Sequence, residues 1–253
     1  MARWQPFLLA PEVAALLGQT EEEAQLPMWG YTPLHHASLH GQIQKVKLLL
    51  EQKHPGSNVS IKNEFGQTPL HLAQGMGGRQ SCWQGAAGTQ FWHPEGQRDL
   101  VVQTLLDAGA LVDARTNFGD TPLHFAAVSG SEARVHMLLD AGADIEQTEN
   151  AQNTALHLAA LYGRCSVVRL LLHKGADLNA RNLLGKTPED LASLLYHDRA
   201  AALLRVMAKR AWKKRAWNLP REAFAMGQHE RLGARSLVLD LEPGVVRMIL
   251  DRF

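Results

Sequence analysis

Apolar residues in this chain recur in tight pairs at helical spacing. Val101-Val102 is followed by Leu105-Leu106, and Val167-Val168 by Leu171-Leu172, so each stretch reads as a helix with one apolar face. Ahead of the apolar helices stand shorter segments rich in small residues, opened by a recurrent tetrapeptide. It runs Thr32-Pro33-Leu34-His35, Thr68-Pro69-Leu70-His71, Thr121-Pro122-Leu123-His124 and Thr154-Ala155-Leu156-His157, with Thr187-Pro188 opening a fifth segment. The last three openings lie 33 residues apart. A fixed period of this size predicts a stacked array of two-helix units, in which contacts stay between neighbours.

The residue identities fit that role. Thr can accept a hydrogen bond from a first-turn N–H, and Pro at the next position loses nothing. Leu34, Leu70, Leu123 and Leu156 are expected to point inward, and Ala37, Ala73, Ala126 and Ala159 to let adjacent helices approach. Gly41, Gly77, Gly130 and Gly163 suit the left-handed residue that ends a first helix. Asn63-Glu64-Phe65-Gly66, Thr116-Asn117-Phe118-Gly119 and Asn182-Leu183-Leu184-Gly185 read as tight turns between units. Two irregularities stand out. In the second unit Gly109-Ala110 arrives late, which places an insertion loop at residues 78–97. The fifth unit lacks the His and carries Tyr196 at the glycine position.

These residues resemble the ankyrin-repeat family over about residues 29–208. The resemblance implies an all-α solenoid of stacked helix-turn-helix units with hairpin-like fingers. It also implies that the recurrent imidazoles tie neighbouring units and that partner proteins bind a concave surface. The domain organisation expected is an N-terminal half-repeat cap at 1–28, built on a short helix from Pro11 to Leu17, then five repeats at 29–208, then a basic and helical tail at 209–253. Gln152 departs from the family pattern, since a glycine is expected there. The variable positions of the family fall here on Trp29, Tyr31, Leu39, His40, Phe65, Gln67, Met76, Phe118, Asp120, Val128, Leu161, Tyr162, Leu183 and Leu184. That set is apolar and aromatic for a solvated groove, and such patches mark binding sites. Trp29, Tyr31, Phe65 and Phe118 are the expected anchors of a partner peptide or helix.

Composition narrows the alternatives. A formal net charge of +1 over 253 residues offers no global field for nucleic acid or membrane. No apolar run is long enough to span a bilayer, and Phe7-Leu8-Leu9-Ala10 is too short for a signal-peptide core. Two cysteines, Cys82 and Cys165, make no disulfide framework, so a reducing, cytoplasmic setting is expected, with the chain monomeric on its own. Twelve histidines raise the question of metal, and His36 and His40 are four apart. But His35, His71, His124 and His157 share one repeat position, and no zinc-protease helix pattern is present. No metal, no cofactor and no catalytic residue is expected, because there is neither a phosphate loop nor a nucleophile elbow.

Outside the repeats three features carry other readings. Trp83, Phe91 and Trp92 in the insertion either fold back on the helices or meet a partner. Lys209, Arg210, Lys213, Lys214 and Arg215 read as the polar face of a last helix, or as a nuclear import signal that would add the nucleus to the localisation. The C-terminal stretch places Val245, Val246, Ile249 and Leu250 on one helix face, and Leu241-Glu242-Pro243-Gly244 before it is similar to the opening of an F-box. That second resemblance implies docking to a ubiquitin-ligase adaptor. It departs from the pattern in the place of Pro243 and in Gly244.

Overall fold

The computed structural model describes residues 28–51, 58–75 and 95–217. The chain divides into two compact units at Arg205–Val206; the first holds the repeats, and the second is described only as helix up to Trp217.

A single 3-10 turn at Met28–Gly30 leads into α1 (Pro33–Leu39) and α2 (Ile43–Glu51). Then come α3 (Pro69–Ala73) and α4 (Glu95–Asp107), α5 (Pro122–Ser129) and α6 (Glu132–Asp140), and α7 (Ala155–Leu161) and α8 (Cys165–His173). The series ends with α9 (Pro188–Leu194) and α10 (Asp198–Trp217). First helices pack on first helices throughout, and in the first four units second helices pack on second and each pair closes on itself. The expected all-α solenoid is therefore the fold.

Every first helix starts on a Thr in extended conformation, Thr32, Thr68, Thr121, Thr154 and Thr187, with a reciprocal capping arrangement to the residue three ahead. In four units that residue is His rather than the usual acidic or amide partner. In the fifth it is Asp190, whose carboxylate accepts from Thr187 N–H at 2.8 Å. One continuous core runs through the stack, from Leu34 and Leu49 through Leu105, Leu123 and Leu138 to Leu171 and Leu204. The alanines expected to be small for close approach are all buried.

Where the chain departs from its own period, the structure shows how it copes. Helix α3 stops at Ala73, and Gly75 takes the left-handed conformation with φ 89°; Gly77, the expected glycine, lies outside the described residues. Most of the insertion lies outside the described residues, but Glu95, Gly96 and Gln97 do not belong to it: they form the first turn of α4. The shortened α3 makes only slight contact with α5. Arg134 of α6 braces this seam. It stands where the other units carry Lys45, Val101 and Val167, is almost fully buried, and reaches the Ala73 carbonyl at 3.5 Å and Asp99 of α4 at 3.6 Å. The glycine positions missing at Gln152 and Tyr196 keep their geometry, both at φ 58°, a conformation costing a non-glycine residue about 1 kcal/mol or more.

Candidate functional site

Between units the chain forms hairpin-like fingers, and the residue at the base of each apex builds it. Asn63 Oδ1 accepts from the N–H of Phe65 and Gln67, Thr116 Oγ1 from Phe118 and Asp120, and Asn182 Oδ1 from Leu184 and Lys186. In the third of these four fingers Glu149 does this for Ala151. Successive apices are then joined main chain to main chain. Glu64 N–H donates to Trp29 O, Asn117 to Phe65 O, Asn150 to Phe118 O and Leu183 to Ala151 O, all at 2.9–3.1 Å. Gly66 sits inside this seam: a Cβ there would lie 2.8 Å from Asn117 N, so only glycine allows the approach.

The residue just before each apex glycine, or its substitute, is Trp29, Phe65, Phe118, Ala151 and Leu184. Backbone seams place these one per unit along a single edge. Trp29 stacks on Phe65 with ring centroids 5.8 Å apart and planes at 28°. Trp29 is 46% exposed, Phe118 52%, Leu183 65% and Leu184 78%. A second apolar row follows the ends of the first helices. Leu39 and Leu161 are half-buried and Tyr162 is exposed, with His40 beside His36 at a ring distance of 4.3 Å.

The other expected contact residues fall differently. Gln67 and Val128 are buried, which corrects the expectation that they face solvent. Gln67 lies inside its finger and accepts from Asn63 Nδ2 at 3.0 Å; Val128 is held in the last turn of α5. Asp120 is half-buried, and its carbonyl accepts from His71. Tyr31 is half-buried and meets His35 edge-on; burial raises its phenol pKa and a hydrogen bond with Asn63 opposes the rise. Met76 lies outside the described residues. Two residues were missed: Leu194 and Leu195, both exposed, extend the Leu161–Tyr162 row into the fifth unit. Carrying the 33-residue offset one step further would have found them.

The recurrent histidines are interior struts. The N–H groups of Thr32, Thr68, Thr121 and Thr154 donate to Nδ1 of His35, His71, His124 and His157, so Nδ1 carries no proton. Each Nε2–H donates onward to the next finger, at Gln67 O, Asp120 O, Asn153 O and Lys186 O, over 3.0–3.1 Å. Burial lowers the pKa of His35 and His71 to about 4, against the upward pull of these carbonyls, and lowers His157 as well. Both ring nitrogens are spent, which leaves them no lone pair for a metal. Among the described residues no group of three His, Cys, Asp or Glu is placed to hold one.

Lys209 is exposed, and the backbone of Arg210, Lys213, Lys214 and Arg215 continues α10. Val245, Val246, Ile249, Leu250 and the F-box-like stretch lie outside the described residues, as do the half-repeat cap and the insertion aromatics. No helix among the described residues is long and apolar enough to cross a membrane.

Stacked helix pairs, finger seams and an exposed apolar edge define a repeat protein of the solenoid class. A family model for ankyrin repeats in three copies matches residues 9–84 and 94–182. The chain belongs to the ankyrin-repeat family, whose arrays generally serve as protein–protein interaction modules. It is similar to ankyrin repeat domain-containing protein 53 of Mus musculus, 28% identical over half of this chain and 20% of that protein. It also resembles the ANK repeat-containing protein nipk-1 of Caenorhabditis elegans, 31% identical over 40% of this chain and 15% of that one. A transient receptor potential cation channel subfamily A member 1 homolog of the same nematode is 32% identical over 42% of this chain and 9% of its own length. The chain thus spans a fifth or less of these relatives.

Proposed function

We propose that the chain is a non-catalytic recognition module that holds a partner protein along its finger edge and the adjoining ends of its first helices. The observation carrying this reading is the exposure of Trp29, Phe118, Leu183 and Leu184 on a rigid edge. Because these side chains are already partly covered, burying the rest of each under a partner gains roughly 1–2 kcal/mol. Little entropy is lost in doing so, because the seams already fix the backbone. The stacked Trp29–Phe65 pair and Phe118 are the anchors.

The test is a Phe65→Ala, Phe118→Ala double variant. A partner is identified by affinity capture and mass spectrometry, then purified and titrated against both proteins by calorimetry. The variant is expected to keep its far-UV circular dichroism and to lose about tenfold or more in affinity. A folded variant with undiminished affinity overturns the proposal.

A further inference from the structure

We infer that the occupant of the finger edge is an acidic amphipathic α-helix of the partner; the inference rests on the finger edge being the recognition surface. Three observations select it.

The first is that the apex backbone is already spent. The N–H groups of Glu64, Asn117, Asn150 and Leu183 donate across the seams, and those of Phe65, Phe118, Ala151 and Leu184 donate into their own fingers. An extended partner strand laid here would bring carbonyls that find no donor, and burying them unpaired is costly. A helix satisfies its own backbone and offers only side chains.

The second is spacing. Adjacent packed helices lie about 8–10 Å apart, so apex side chains recur near that interval. A helix rises 1.5 Å per residue, so about five to seven residues cover one unit. An apolar stripe with a residue every three or four positions therefore has one within reach of the Trp29–Phe65 pair, of Phe118 and, past Ala151, of Leu184.

The third is charge. Lys62, Arg115 and Arg181 each precede the residue that builds an apex, and all three are exposed, as is Lys186. Lys62 and Arg115 reach into the next finger, and Arg181 into its own. Lys62 Nζ donates to Arg115 O, Arg115 to Thr148 O, and Arg181 to Gly185 O, each at 2.8 Å. A Cβ on Gly119 would lie 2.8 Å from Arg115 Nη2, which puts that guanidinium beside Phe118. Carbonyl acceptors leave the positive charge uncompensated. Asp190 lies within the field of Arg181 and Lys186, and Glu64 and Asp120 are the apex carboxylates. Lys62 and Arg115 make no carboxylate ion pair among the described residues. Asp113 and Glu146 instead accept backbone N–H groups of the next finger, at Asp144 and Asp177. A helix with carboxylates beside its apolar stripe fits this edge, and one with cations there is repelled.

The experiment uses the full chain and three fluorescein-labelled synthetic helices of about three heptads. All carry Leu along one stripe, flanked by Glu, Gln or Lys, and binding is read by fluorescence anisotropy. The Glu helix is expected to bind about tenfold or more tighter than the Gln helix, with the Lys helix weakest and the advantage shrinking as salt rises. Lys62→Glu with Lys186→Glu, which leaves both guanidinium braces in place, is expected to erase the preference. Equal binding of Glu and Gln helices, insensitive to salt, overturns the acidic preference. If Phe65→Ala with Phe118→Ala still weakens that binding, the finger edge survives as the recognition surface. If the double variant binds equally, the edge reading falls with it. Binding of none of the three overturns the helical occupant.

Discussion

Acid should weaken this fold well above the pH at which carboxylates protonate, and the buried histidines set the size of the effect. In the unfolded chain His35 and His71 titrate near 6.5; folded, burial holds them at about 4. Because the folded values are depressed, the unfolded chain binds the extra protons. The stability these groups supply is present above about pH 6.5 and is lost as the pH falls toward about 4. Between about pH 7.5 and about pH 5, linkage gives a loss of roughly 2 kcal/mol for each, about 4 kcal/mol for the pair. His157 acts in the same direction. Such a loss is large beside the 5–15 kcal/mol typical of a folded domain. Depressed carboxylates such as Asp140 and Asp190 act at lower pH and do not confuse the window. Urea unfolding followed by circular dichroism across the window measures the loss, and hydrogen exchange shows which units open first. A His35→Gln, His71→Gln variant should start less stable at neutral pH and show a much flatter pH dependence. A wild-type midpoint that does not move between about pH 7.5 and about pH 5, or a double variant with the wild-type slope, refutes the reasoning.

The braced seam and the two strained turns give further outcomes. Arg134→Leu should cost about 3 kcal/mol, since it leaves Asp99 without its cation; adding Asp99→Ala should recover part of that, which chemical denaturation of both variants would show. Gln152→Gly and Tyr196→Gly should each stabilise by about 1 kcal/mol, since each places glycine at a left-handed position; an unchanged or lowered melting temperature contradicts this. Gly66→Ala should be strongly destabilising because its Cβ meets the Asn117 backbone, and a melting temperature near wild type would show that the seam can give.

How much of this was legible in the sequence depended on which residues repeat. The Thr–His positions, the small alanines and the inward leucines come back in register, so a single physical role explains each set and the stack follows. Asp190 in place of His was visible, but that its carboxylate would take over the same cap needed the Thr187 geometry. Arg134 was not legible: a lone Arg in an outer helix reads as solvated, and only the shortened α3 creates the space and the carbonyl it fills. Gln67 and Val128 were misplaced for a related reason. Family positions that vary are not all exposed, and here one amide closes its finger while one valine packs in the last turn of its helix. Leu194 and Leu195 were hidden by the loss of His and Gly around them, which took away the landmarks that fix the register of the fifth unit.

The interior and the finger edge are one mechanical system. Each histidine caps its own helix through Nδ1 and holds the next finger through Nε2, and the carbonyl it holds is the one that closes that finger. Gln67 O accepts both from His35 and from Asn63 N–H, Asp120 O both from His71 and from Thr116 N–H, and Lys186 O both from His157 and from Asn182 N–H. So the position of Phe65 is set by His35, that of Phe118 by His71, and that of Leu184 by His157, each one unit away. The apex seams then pass the constraint along the edge. An apolar row on free loops would collapse onto the helices or lose its spacing; on this lattice it stays open and in register. That is why large side chains can remain exposed on the fingers without being a folding defect, while the interactions that position them are buried beneath.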